Sequence, residues 1–519
     1  MAADPPDDDD DGQWTQVAAT LFGMWRSFQD EWTAQVKGNP EAVFQRLSQV
    51  LGLAVHWLKG LPLAELRPPP GFMEEAEALW AALESQAGIG NAAPLREDPR
   101  FADPLWQQPP FAFLHQTYLL LCDQLSRAAD AVDALDPPAR ARLQFALRLL
   151  EDTLNPANFP LTNPLVLTRA RETGGESLIR GFGHLLADLQ RGQLMHSDPA
   201  ALSLGEHIAA TPGKVVFETP LFQLIQYTPT TARVLRTPLL IFPSWTSRFY
   251  VLDLEPESSF VGWAVSQGIT TFMVSWKSAD ASMRDIIWDD YIAAQLEAIA
   301  HVRDRLGVPS SHALGYGLGG TTLAAMLAVL AARGEADAVK SATYLAAPVD
   351  FADTGELGNF VDEQALAAIA TLSPGGYLDG RYQAALRNLL QPGERIWDHA
   401  VRHYLLGEEL HASALQHWSD DLPNLPAKWL ESHLRNLVRD NWLVEANSLS
   451  ALGTPIDLTR ITTPSYRQAS EQPDSWRQHW LVWLREQDPA EMAVRGKRRP
   501  GSKADKAIED APGRYVKSH

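Results

Sequence analysis

Residues 313–324 read Ala-Leu-Gly-Tyr-Gly-Leu-Gly-Gly-Thr-Thr-Leu-Ala. An apolar run, a tight glycine turn and a helix start, in that order, form a nucleophile elbow. Such a turn lifts a Ser or Cys above a sheet to attack a carbonyl. Here the attacking position is Gly317, which has no side chain to attack with. The layout for acyl transfer is present and its nucleophile is absent. Glycine at 317 also relieves the strain of the turn and widens the space around it.

The same run fits a second pattern. Gly315, Gly317 and Gly320 match Gly-x-Gly-x-x-Gly, the dinucleotide fingerprint. That site needs an acid at the end of the next strand to hold a ribose. The next apolar run, Ser341 to Leu345, is followed by Ala346, Ala347 and Pro348, and the acids Glu335 and Asp337 precede it. The dinucleotide reading lacks its partner residue. Cys122, the one cysteine, could be a displaced nucleophile. It lies in the apolar helical run Tyr118 to Leu125, where a cysteine usually packs. His433 is read as structural. No metal-ligand set and no cofactor motif is expected.

The elements that would position the elbow follow from periodicity. Trp14, Val17, Leu21 and Trp25 recur at helical spacing, as do Leu143, Leu147, Leu150 and Leu154. Breaks at Pro68-Pro69-Pro70 and Pro109-Pro110 divide the helices. From about Thr211, short apolar runs at 238–242, 270–275, 312–314 and 341–345 alternate with helical stretches. That alternation implies a mainly parallel sheet covered on both faces. The expected fold class is α/β: an α/β-hydrolase-like core with a helical cap, preceded by a helical N-terminal domain. The expected boundaries are a disordered acidic arm over 1–12 and a helical domain over 13–210. The α/β domain follows over 211–472, with its cap at about 349–445. A C-terminal tail over 473–519 carries a helix with Trp476, Trp480 and Trp483 on one face.

Composition sets outer bounds. The chain has 519 residues, 45% hydrophobic and 21% charged, with net charge -20. That is globular, long enough for two domains, and too acidic for a general nucleic-acid binder. A single cysteine excludes an intrachain disulfide, and no apolar run approaches a membrane span. The expected location is the cytoplasm.

Short strings spread along the chain carry a resemblance. They are Asp98-Pro-Arg-Phe-Ala-Asp-Pro-Leu-Trp106, Asn155-Pro-Ala-Asn-Phe-Pro-Leu-Thr-Asn-Pro164, Thr211-Pro-Gly-Lys-Val-Val-Phe217 and Leu224-Ile-Gln-Tyr-Thr-Pro229. Further along come Phe249-Tyr-Val-Leu-Asp-Leu254, Trp288-Asp-Asp-Tyr291, Asp350-Phe-Ala-Asp-Thr-Gly-Glu-Leu-Gly358, Tyr404-Leu-Leu-Gly407, Arg435-Asn436 and Ala511-Pro-Gly-Arg-Tyr-Val516. In this order the chain resembles the polyhydroxyalkanoate synthases, single-subunit branch, which polymerise 3-hydroxyacyl-CoA into storage polyester.

The resemblance implies a Cys nucleophile, a His base and an Asp that activates the 3-hydroxyl. This sequence departs at all three. The Cys position is Gly317. After the run Pro464 to Ala469 the chain goes through Ser470-Glu-Gln-Pro-Asp-Ser-Trp476 straight into the family's tail pattern, without the acid turn or the Gly-His loop. Asp474 and His479 lie nearby and receive no role. The resemblance implies two surviving oxyanion-hole amides, those of Leu318 and Thr246, around an elbow framed by Gly315, Gly319 and Gly320. It further implies 3-hydroxyacyl-CoA or a polyester chain as ligand, and a homodimer or a heterodimer with an active synthase. Three functional readings remain open: a non-catalytic binding homologue, an acyltransferase using other residues, and a decayed gene product.

Overall fold

The computed structural model describes residues 8–36, 61, 66, 71–87, 97–132, 135–198, 200–466, 476–502 and 505–518. The first seven residues, the proline break at 68–70 and residues 467–475, Asp474 among them, lie outside the described residues. The chain divides into two units. Unit 1 holds residues 1–196 and 385–410, and unit 2 holds 197–384 and 411–519.

Unit 1 is helical, as its 3.6-residue pattern requires. Its helices are α1 (Asp8–Val36), α2 (Phe72–Ala87), α3 (Phe111–Asp130), α4 (Pro137–Leu154), α5 (Pro164–Glu172) and α6 (Glu176–Arg191). Side-chain caps set their starts. Asp136 accepts the Ala139 amide ahead of α4, and Asn163 accepts those of Leu165 and Val166 ahead of α5. Both helices open on proline, where the missing amide costs nothing. Leu143 and Leu147 are buried beside Ala129 of α3, whereas Leu150 and Leu154 of the same stripe are exposed.

Three expected boundaries shift. α1 begins at Asp8, so residues 8–12 of the acidic arm are helical. Unit 1 ends at 196 rather than 210. The expected cap is not one body, because residues 385–410, with π-helical turns at Gly393–Asp398 and Ala400–Leu405, belong to unit 1. The physical reason is close backbone packing on α6. A Cβ at Gly181 would overlap the Tyr404 carbonyl, and one at Gly407 the Ser177 carbonyl.

Unit 2 is built on eight strands: β1 (Gly213–Glu218), β2 (Phe222–Tyr227), β3 (Leu239–Phe242), β4 (Thr271–Trp276), β5 (Ser311–Tyr316), β6 (Val339–Leu345), β7 (Ser465–Tyr466) and β8 (Glu509–Asp510). Their order is β7-β6-β5-β3-β4-β2-β1-β8. The five from β7 to β4 are parallel, and β2, β1 and β8 add antiparallel pairs at one side. Every residue of β3 and β4 is buried, which explains why they read as unbroken apolar runs.

Alternation assigns the faces. Leu240 and Phe242 join a core with α8 (Trp288–Leu306) and α9 (Leu318–Arg333). Leu239 and Ile241 join a second core on the opposite face, with α7 (Phe260–Ser266) and α12 (Trp476–Gln487). Trp480 of α12 is fully buried and donates its indole N–H to Thr343 Oγ1 of β6 at 2.9 Å. Two further helices, α10 (Glu363–Leu372) and α11 (Ala427–His433), come from the expected cap and stay in unit 2.

The stretch expected as a separate tail belongs to unit 2. β8 pairs with β1 through Lys214 opposite Asp510. Arg498 of the basic run is buried and donates to Thr270 Oγ1 at 2.8 Å. No helix among the described residues is long and apolar enough to cross a membrane.

Candidate functional site

β5 is flanked on both sides, by β3 and β6, and its chain turns at Gly317 directly into α9. Gly317 has φ +54° and ψ -133°, a conformation that L side chains rarely adopt. Its amide donates to the Leu345 carbonyl at 3.0 Å, and its carbonyl accepts the Gly320 amide at 2.9 Å. This is the strand-to-helix turn of an elbow.

The four glycines of the turn are required for different reasons. A Cβ at Gly315 would overlap Gly320, one at Gly319 would overlap the Phe242 carbonyl, and one at Gly320 would overlap Ala347. These three let α9 start hard against the sheet. Gly317 is different. A Cβ there would meet only Ser244, with Cβ at 3.4 Å and Oγ at 3.9 Å. Space admits a side chain at 317, and only the backbone conformation argues for glycine.

The two amides suggested as carbonyl donors differ. Leu318 is half-buried, and among the described residues nothing accepts its N–H. Thr246 is also half-buried, but its N–H donates to Ser244 Oγ at 3.2 Å, while the Ser244 and Thr246 hydroxyls share a bond of 2.7 Å. A carbonyl would have to displace Ser244 to reach this amide. The sequence reading took only the Thr246 amide from this loop and missed Ser244. The one signal for it was a hydroxyl residue two positions earlier, placed to make a local turn bond.

Packing holds this loop. Trp245 stacks on Tyr291 of α8 at 4.1 Å and meets Trp429 of α11 edge-on at 5.2 Å. Trp418 donates to the Arg248 carbonyl at 2.7 Å. Arg248 itself is buried, paired with Asp421 at 3.0 Å and donating to the Ser518 carbonyl at 2.7 Å. None of these contacts was legible in the sequence, since each joins segments more than 40 residues apart.

Three histidines of unit 2 are each held by other contacts. His312 is at the far end of β5, about five residues and roughly 16 Å from Gly317. Burial pushes its imidazole down to about 4, and it is bonded to Ser341 Oγ at 2.7 Å. His433 is buried against Trp429, its ring centroid 4.9 Å away, and burial likewise pushes it to about 4. His479 of α12 is bonded to the Tyr466 hydroxyl at 2.8 Å and anchors the helix to β7. Cys122 is half-buried in α3, and burial pushes its thiol up to about 11, which suits packing rather than attack. A cavity of about 470 Å³ between Trp106, Asn158, Trp397 and Leu406 lies within unit 1 and has no serine, threonine or cysteine in its lining. No group of residues able to hold a metal ion is found among the described residues.

A mainly parallel sheet with an elbow after its central strand defines an α/β-hydrolase-like protein. The profile of the poly-beta-hydroxybutyrate polymerase (PhaC) N-terminus matches residues 97–264. The poly(3-hydroxyalkanoate) polymerase subunit PhaC of Cupriavidus necator is 38% identical over 85% of this chain and 76% of its own length. The poly(3-hydroxyalkanoate) polymerase of Methylorubrum extorquens is 32% identical, over 90% of this chain and 88% of its own. The latter match extends over 544 positions, more than this chain contains, so the alignment opens gaps in it. Among solved structures, a membrane phospholipase A overlays 63% of this chain at 13% identity with a TM-score of 0.26, a likeness on which nothing here rests. The chain belongs to the poly(3-hydroxyalkanoate) polymerase family.

Proposed function

We propose that this polymerase-family protein does not turn over acyl-CoA and acts by binding: to a 3-hydroxyacyl-CoA, a polyester chain or granule, or an active synthase. The observation that carries the reading is Gly317 at the nucleophile position of an otherwise intact elbow. A thioester is opened by a thiolate or alkoxide held beside a base, and glycine at 317 supplies no such nucleophile. What remains supports carbonyl binding. The Leu318 amide is unspent at the N-terminus of α9, where donors and helix dipole favour an oxyanion. The Cupriavidus necator relative is named as a polymerase subunit, which supports a role inside an assembly. A role beside an active synthase would put it in the cytoplasm or at a granule surface.

The test is CoA release from 3-hydroxybutyryl-CoA, by purified protein alone and mixed with an active synthase. The expected result is no sustained release by the protein alone and an altered rate or lag in the mixture. Sustained release by the protein alone would overturn the reading in favour of an acyltransferase using other residues. No effect in either arm would favour a decayed gene product.

A further inference from the structure

Four histidines stand in one row within unit 1. His184 of α6 stacks on His403 with ring centroids 3.9 Å apart and planes 9° from parallel. His403 is 5.1 Å from His399, and His399 is 5.0 Å from His196. The row joins α6 and the turn after it to residues 385–410, at the crossing where Gly181 and Gly407 bring backbones into contact. His399 and His403 are buried.

Backbone carbonyls fix the protons on three rings, because a carbonyl can only accept. His184 Nδ1–H donates to the His403 carbonyl at 3.1 Å. His403 Nδ1–H donates to the Glu408 carbonyl at 2.7 Å. His196 Nε2–H donates to the Arg395 carbonyl at 2.9 Å. His184 and His196 thus spend their N–H groups on the 385–410 segment from outside it, and His403 spends its own within it.

The charged and titratable groups around the row are unevenly placed. From α6, Asp188 is buried. It accepts from Tyr404 Oη at 2.7 Å, lies 3.4 Å from His399 Nε2, and accepts from Arg191 at 3.0 Å. From the segment itself come Arg395, 3.5 Å from His196 Nδ1, and the exposed Glu409, 3.4 Å from His184 Nε2. Arg402 and Glu408 pair with each other at 3.0 Å, and Asp398 lies on the same turns. α1 packs on α6 and brings Glu31, which is bonded to Gln190. The turn Pro156–Asn158 packs on 400–405 and brings no charge. Asp188 can compensate a proton on His399, and Glu409 one on His184. Among the described residues no carboxylate lies within ion-pair distance of His403, which has a histidine ring on either side.

We propose that this row is a proton-operated latch: neutral, it holds residues 385–410 on α6, and protonation at His403 releases them. Burial lowers the His403 pKa from its ordinary 6.5; the Glu408 carbonyl and, more weakly, Asp188 oppose the shift, while the neighbouring His184 and His399 add to it. A released ring in water returns to the ordinary value. The docked state therefore keeps its full stability above about pH 6.5 and loses it as the pH falls below that value. Asp188, held below its ordinary 3.8 chiefly by His399 and Tyr404 against its burial, acts only in a lower window.

The experiment is amide hydrogen exchange on the full chain at pH 7.5, 6.5 and 5.5, corrected for intrinsic rates. Peptides from 395–408 are expected to lose protection, by at most about tenfold, between pH 7.5 and 5.5, while β5 and β6 keep theirs. In His403→Gln, whose amide can still donate to the Glu408 carbonyl, protection should no longer depend on pH. Should that variant not fold, His184→Asn should reduce the fall for the same reason. A flat profile in the unmodified protein would overturn the latch, as would an unchanged fall in His403→Gln.

Discussion

At residue 317 two demands that coincide in an active elbow come apart: room for a side chain and a backbone that tolerates one. Room exists, since the nearest atom to a new Cβ is Ser244 Cβ at 3.4 Å. The backbone, at φ +54° and ψ -133°, would charge an L residue about 1–3 kcal/mol. Gly317→Cys should therefore fold, at somewhat reduced stability. Its thiol, with an ordinary pKa near 8.5, would be only a few per cent thiolate at neutral pH and has no recognised base. Incubated with 3-hydroxybutyryl-CoA, the variant should gain one acyl group by intact mass and stop there. Continuous CoA release would show that an acid–base pair exists in or beyond the described residues. Gly319 gives the opposite case. Its Cβ would run into the Phe242 and Pro243 carbonyls, backbone atoms that cannot step aside. Gly319→Ala should cost about 3 kcal/mol or more. A melting temperature within about 2 °C of the unmodified protein would refute the close-approach argument. That glycine at 317 eases the conformation of the turn was legible in the sequence, whereas the close contacts that require Gly315, Gly319 and Gly320 were not.

Among the elements, legibility followed burial and length. β3 and β4 were readable because each is an apolar run buried on both faces; β5 is buried up to Tyr316, and β6, which exposes Lys340, was readable only from Ser341 onward. β1 and β2 were not read as strands, because polar residues interrupt them; Gln223 and Gln226 are buried and bonded to distant partners, Glu509 and the Lys497 carbonyl. β8 has two residues and no period, and it exists only because β1 offers an edge. The loop around Ser244 failed to show for a similar reason, since its shape is set by Trp429, Asp421 and Ser518 from far along the chain. The tryptophan stripe of α12 was legible as a face, but not the face of the sheet it covers. There Trp480 fills the core between α7 and β6 and satisfies Thr343. Trp480→Ala should cost about 3–5 kcal/mol in urea unfolding. Trp480→Phe should cost less, with the remainder tracing to the orphaned Thr343 hydroxyl. Equal losses for the two variants would mean that the hydrogen bond, not the ring volume, holds the helix.

For the whole molecule the question is how a chain with an elbow and no recognised nucleophile could influence polyester synthesis, and two routes give different signatures. In one, the chain withholds acyl-CoA from an active synthase by binding it. In the other, it pairs with the synthase as a subunit, as its family resemblance implies. Sequestration follows mass action on the ligand, so its effect fades once acyl-CoA greatly exceeds the protein. Pairing follows the two protein concentrations, so its effect persists at any acyl-CoA level. We expect pairing. Sedimentation velocity at micromolar concentration should show this chain as a homodimer, or as a mixed species with an added synthase. The change it causes in CoA release should survive a hundredfold excess of 3-hydroxybutyryl-CoA. A monomer that does not shift on adding synthase, with an effect that vanishes at high acyl-CoA, would leave sequestration as the mechanism. The Gly317→Cys variant separates the routes further. A paired subunit bearing a new thiol would take an acyl group faster beside an active partner than alone, whereas a free acyl-CoA binder would take it at one rate in both settings.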